Sequence, residues 1–106
     1  MADLPDHEVL WAAGLFEGEG WFTNSRTGTH WYPKAGVQMA DEEIIRRFHA
    51  VMGLGRVHGP YQKGSNRKPQ WQWQANGREA RQVIHRLLPY LGSRRQLRAM
   101  EVISYE

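Results

Sequence analysis

The stretch Trp11-Ala12-Ala13-Gly14-Leu15-Phe16-Glu17-Gly18-Glu19-Gly20 decides how this chain is read. With the residues before it, it predicts a helix over 6–18. Asp6 stands at the N-cap position and Glu8 in the first turn, where the helix dipole favours an acid. Apolar residues lie nearly all round this helix, which predicts burial on most sides. Gly18 and Gly20 end it. Gly14 and Gly18 fall four apart on one face, beside Ala13, and missing side chains let another backbone come close. That spacing suits two copies of the helix packed in a soluble dimer, with the two Glu19 carboxylates emerging side by side at the axis. Glu17 and Glu19 sit in the last turn, where each opposes the dipole by a few tenths to ~1 kcal/mol. Gly18 leaves a bare carbonyl between them. A carboxylate beside a carbonyl oxygen is a corner of a hard-cation site such as Mg²⁺. Two solvated glutamates near a turn are the other reading of the same spacing.

Residues 21–26 and 31–39 alternate as two strands, joined by turn chemistry from Asn24 to Thr29 with Gly28 as the positive-φ residue. Asp41 caps a second helix over 42–52, with Ile44, Ile45, Phe48, Val51 and Met52 as its buried stripe. Residues 56–62 and 69–75 form another strand pair. In its second strand Trp71 and Trp73 alternate with Gln70, Gln72 and Gln74, the period of a strand buried on one face. Asn76 and Glu79 make a capping-box pattern before a third helix, whose stripe is Ala80, Val83, Ile84, Leu87 and Leu88. Pro89 breaks the chain. Ser93 and Gln96 repeat the capping pattern before a last helix, with Leu97, Met100 and Ile103 inward.

This order predicts one α+β domain over residues 1–106. A four-stranded, mostly antiparallel sheet carries helices on one face and leaves the other open. The tryptophans then point to the helices and the glutamines outward. Glutamine presents a donor and an acceptor together, which suits base edges, adenine among them; an ordinary polar solvent face is the alternative.

Composition narrows the class. With 41% hydrophobic and 24% charged residues in 106, the chain has ordinary globular usage, which excludes a collagen-like or disordered chain. No apolar run reaches the ~18 residues of a membrane helix. The short acidic start, Met1 to Asp6, does not resemble a signal or transit peptide, so a cytoplasmic or nucleoid-associated location is expected. The absence of cysteine excludes a disulfide scaffold and thiolate zinc sites. Residues 1–55 carry four Lys/Arg against eight Asp/Glu, a balance of −4, and residues 56–106 carry ten against three, a balance of +7. An acidic half joined to a basic half suggests a polyanion held beside a carboxylate site; a solvated basic surface is the alternative. The five histidines show no ligand spacing, and no GxSxG, cysteine nucleophile or P-loop is present. Gly53 to Gly59 follows a helix, the reverse of a dinucleotide fingerprint. So small a domain offers little cleft for a sugar chain between paired acids.

Ala12 to Gly20, AAGLFEGEG, resembles the LAGLIDADG motif of homing endonucleases, and the order αββαββα is the one that family's fold requires. Gly53-Leu54-Gly55 before the third strand, and Pro89-Tyr90-Leu91 before Arg94 and Arg95, also resemble the family. The resemblance implies that Glu19 is the metal ligand, with the Gly18 carbonyl sharing the metal, and that Glu17 is more structural. It implies that Arg94 approaches the scissile phosphate, where the family often has Lys; a guanidinium there stabilises charge rather than donating a proton. Gln38 takes the place near the active-site waters, one residue before the strict register at Met39. One motif per chain implies a homodimer through Ala13, Gly14, Glu17 and Gly18, cutting double-stranded DNA at a near-palindromic site. Hydrolysis would use Mg²⁺ or another divalent cation, and the gene would sit in a mobile intron or intein. The outward strands would form a saddle in the major groove. Gln70, Gln72, Gln74, Lys34 and Gln38 are the candidate base readers, joined by Trp21, Thr23 and Ser25 if the first strand faces that way. Lys63, Arg67, Lys68, Arg94 and Arg95 would meet phosphates. A non-cleaving DNA-binding protein and an intron-RNA splicing helper are the alternatives on the same fold.

Overall fold

A computed structural model describes residues 6–62 and 64–104, so Lys63 lies outside the described residues. The first helix, α1, spans His7–Glu19. Asp6 caps it, its Oδ1 accepting the Glu8 N–H at 2.7 Å. The helix passes through Gly18 and stops where Gly20 turns to extended backbone and returns its N–H to the Phe16 carbonyl. A Cβ at position 20 would lie 2.5 Å from the Phe16 ring, so the reversal needs glycine. The chain then enters β1 (Gly20–Thr27), turns at Gly28 and returns as β2 (His30–Met39).

Asp41 Oδ1 accepts the Ile44 N–H and starts α2 (Glu42–Met52), which ends at Gly53 in the left-handed conformation. β3 (Arg56–Tyr61) and β4 (Gln70–Asn76) follow, then α3 (Gly77–Leu87), a 3₁₀ turn over Leu88–Tyr90, and α4 (Ser93–Ser104). All neighbouring strands are antiparallel, in the order β1-β2-β4-β3. Phe22, Ala35, Val37, Trp73 and Ala75 face the helices and are buried. Phe16 stacks on Phe22 at 5.7 Å and on Phe48 at 6.2 Å, and Phe48 meets Trp73 edge-on at 4.8 Å. The Trp73 indole N–H donates to the Leu54 carbonyl at 2.9 Å, so the largest core side chain leaves no polar atom unpaired. Among the described residues no helix is long and apolar enough to cross a membrane.

The structure corrects four expectations. Asn76 makes no capping bond to α3, because its Oδ1 already accepts the Gln74 amide at 3.0 Å. Ser93 is the first residue of α4 rather than a cap before it, and Gln96 reaches back to the Leu88 carbonyl. Leu97 and Met100 do not point inward: they are 63% and 48% exposed, while Ala99 and Val102 are buried. Arg95, bonded to the Gly20 carbonyl at 2.8 Å, sets this rotation of α4. Finally, α1 is covered on one side only; Val9, Ala12, Ala13 and Phe16 are buried, but Leu10, Gly14 and Gly18 are exposed.

Candidate functional site

The strand pairings line up the residues of the open face in rows. At the end where α1 meets β1 lies the pair Gln70–Tyr61, and next to it Gln38, Gln72 and His58 stand side by side. Trp21, Gly36, Gln74 and Arg56 form the following row, then Thr23, Lys34 and Asn76. Ser25–Tyr32 and Thr27–His30 complete the face toward the β1–β2 turn. The structure therefore brings Trp21, Thr23, Ser25, Lys34, Gln38, Gln70, Gln72 and Gln74 onto one surface. Because Phe22 is buried against Phe16, alternation turns Trp21 outward. Its indole lies across Gly36, where any Cβ would collide with it. His30 stacks on Tyr32, and the Lys34 ammonium stands 6.0 Å from the Tyr32 ring centre.

Tyr61 is a residue of this face that the sequence alone does not single out. Between His58 and Tyr61 the β3–β4 register shifts by one residue, which returns Tyr61 to the open face, where it is 47% exposed. Gly59-Pro60 inside the strand was the signal that could have located this bulge, since both residues weaken regular pairing. Tyr61, Gln38, Gln70, Arg67 and Lys68 line an open cleft of about 470 Å³. His58, Arg56 and Asn76 were also missed; each lies on the open face only by virtue of pairing.

Two acids end α1, and the fold treats them differently. Glu17 Oε1 accepts the Gly92 N–H at 2.6 Å, and its Oε2 is 3.8 Å from Arg95 Nε. Those contacts offset the unfavourable helix dipole and tie α1 to the start of α4. Glu19 is exposed, with no hydrogen bond or ion pair to any described residue. Beside it, the Gly18 carbonyl belongs to the last turn and has no partner within the helix. Gly20 pairs with Val37, so Gln38 follows directly at the same end of the sheet.

The two arginines at the start of α4 also part company. Arg94 is exposed and bonded to no described residue. Arg95, expected to meet a phosphate, is instead held inward by the Gly20 carbonyl and Glu17, with its guanidinium 5.9 Å from the Phe22 ring centre. Ala13, expected at a dimer interface, is instead buried in the core of the chain itself at 1% exposure. A Cβ added at Gly14 or Gly18 would meet nothing within 4 Å. Arg67 and Lys68 are exposed.

Only oxygen donors are available at the end of α1, a set that fits a hard cation and not a soft one. No cluster of three or more His, Asp or Glu suited to a metal forms among the described residues.

No protein-family model matches the chain, and no curated protein matches it in sequence. Its fold does have solved counterparts. The homing endonuclease I-CvuI, in complex with its target in the presence of calcium, superposes with a TM-score of 0.72 at 17% identity, over 92% of this chain and 66% of that one. The archaeal intron-encoded homing endonuclease I-Vdi141I, complexed with DNA, gives 0.69 at 16% identity over 93% and 68%. The LAGLIDADG homing endonuclease I-GzeII, in complex with its DNA target, gives 0.64 at 11% identity over 91% and 35%. This chain thus spans about two thirds of the length of the first two and about a third of the last.

Proposed function

We propose that this chain, whose fold is that of the LAGLIDADG homing endonucleases, pairs through α1 with a second copy and cuts duplex DNA with the aid of a divalent cation. The observation that carries the reading is an unpaired carboxylate, Glu19, at the edge of an uncovered sheet face rich in amide and hydroxyl side chains. The placement of that acid where the helix dipole disfavours it supports cleavage over binding alone.

Pairing is supported by the outer face of α1. Leu10 is 42% exposed, and nothing in the chain itself requires glycine at 14 or 18. Two such helices crossing there would place two Glu19 side chains next to the symmetry axis. Each would hold the cation, Mg²⁺ in the first instance, together with the Gly18 carbonyl; DNA phosphate oxygens and water would complete its shell. When bound, the cation lowers the pKa of water and neutralises charge on phosphate. Gln38 would orient a water through its amide, and Arg94 would neutralise the phosphate oxygens as negative charge develops. The open face would lie in the major groove, with Arg67 and Lys68 on phosphates.

The test is Glu19→Gln. Incubated with Mg²⁺ and a plasmid library, the wild-type protein should cut a single class of site. The variant should retain DNA binding while its cutting falls below detection. Unchanged cutting by the variant would remove Glu19 from the reaction.

A further inference from the structure

We infer that the half-site has a fixed order: adenine preferred toward the end of the sheet nearest Glu19, guanine about four base pairs further from it. This ordering rests on the open face being the surface that meets duplex DNA. It comes from where amides and charges fall along β2 and β4. Gln38 and Gln72 are directly paired across these strands, and Gln70 lies one row closer to the Glu19 end. Opposed Cβ atoms in such pairs are about 4.5–5.5 Å apart, so the row is one uncharged patch, in which Gln38 serves the water and Gln72 is left for a base. Neither amide has a hydrogen-bond partner among the described residues, whereas Gln74 already donates to Asn76.

A free primary amide matches adenine, which offers an N7 acceptor and an N6–H donor in the major groove. Guanine offers two acceptors there, N7 and O6, so the amide oxygen would face a like group. Lys34 reverses this preference. It is the one permanently charged residue in β2, and an ammonium has donors only, which suits N7 and O6 of guanine. Its head stands over the Tyr32 ring, which keeps the stem along the face. From Gln38 to Lys34 the strand advances four residues, about 13 Å, and a duplex rises about 3.4 Å per base pair. That separation sets the spacing of roughly four base pairs between the two preferences.

Selection of bound duplexes from a library randomised across the half-site, without divalent metal so that nothing is cut, tests the order directly. Adenine should be enriched at the inner positions and guanine about four base pairs outward, each disfavouring the wrong base by roughly tenfold or more. Gln72→Lys should turn the inner preference from adenine to guanine and leave the outer one unchanged. Lys34→Gln should do the converse, and thermal melting should show both variants folded. Enriched sites without this order, or variants that leave the profile unaltered, would overturn the inference while leaving DNA binding intact. Failure of the wild-type protein to retain any duplex would instead overturn the DNA reading beneath it.

Discussion

The two sides of α1 differ by one residue in sequence and by everything in environment. Ala13 is sealed in the core, and Glu17 is bonded to Gly92 and lies near Arg95. A Cβ at Gly14 or Gly18 would meet nothing within 4 Å, and Glu19 has no hydrogen bond or ion pair to a described residue. The same division recurs among the cations. On α3 and α4, Arg81 donates to the Ile103 carbonyl, Arg86 to the Val51 and Met52 carbonyls that end α2, and Arg95 to Gly20, while Arg98 pairs with Glu101 at 3.0 Å. On the sheet face and its connection, Lys34, Arg56, Arg67 and Lys68 make no ion pair among the described residues. Four cations of the second half are therefore structural, while Arg56, Arg67, Lys68, Arg78 and Arg94 make no side-chain bond to a described residue and are left for a polyanion.

The largest effect should come from the pair Ala13 and Gly14. Gly14→Leu should leave the folded chain intact but make it monomeric by light scattering. Its affinity for a palindromic duplex should fall about 10²–10⁴-fold as two linked contacts become one. Ala13→Leu should instead overpack the core and cost about 1–3 kcal/mol in urea unfolding. A wild-type protein that stays monomeric with and without DNA would erase the contrast.

The arginines should separate next. Arg95→Ala removes a charged donor from a half-buried carbonyl and should cost about 1.5–3 kcal/mol of stability, with little change in the salt dependence of DNA binding. Lys68→Ala should leave stability within about 0.5 kcal/mol. It should lower the salt slope by about 0.9 per phosphate contact, doubled in a symmetric dimer. Equal salt slopes for the two variants would break the comparison.

The smallest effect lies at Glu8, on the outer surface between α1 and α2. Arg47 donates to both its carboxylate oxygens, at 2.8 and 3.1 Å, while stacking over the Trp11 ring at 3.9 Å. The hydrogen bond first, and then the charge of Arg47, hold the Glu8 carboxyl below its ordinary value of 4.5. A depressed carboxyl stabilises the fold above its unfolded pKa, and that contribution is lost as pH falls through the folded value. Glu8→Gln should therefore flatten the acid limb of a melting-temperature profile slightly and leave neutral pH nearly unchanged, both groups being exposed.

Most of the architecture was legible in the sequence. The stripes of α2 and α3 are strongly periodic, and the Gln/Trp alternation of β4 allows one facing only. The boundaries of the four strands and of α1 and α2 fell within about one residue of expectation. The features that stayed hidden depended on contacts distant in sequence. Trp21 and Phe22 are both aromatic, so only the stacking of Phe22 on Phe16 assigns their sides. Ala13 and Gly14 are both small, and which one is covered depends on how α1 sits on α2 and the sheet. Leu97 and Met100 read as core residues because the turn of α4 about its axis is set by Arg95 and Gln96 reaching other elements. Glu17 and Glu19 are chemically alike, and a bond to Gly92, 75 residues away, tells them apart.

The order β1-β2-β4-β3 leaves two outer strands, and neither is an inviting template. α4 packs along β1. β3 carries Pro60, which has no N–H to offer, within its irregular segment between His58 and Tyr61. A broad, exposed sheet is ordinarily a hazard, because a second molecule can add its own strand and start a chain of them. Pro60 on β3 and the contact of α4 with β1 both hinder that route. A wide polar sheet face can then stay uncovered with less risk that strands add at its margins.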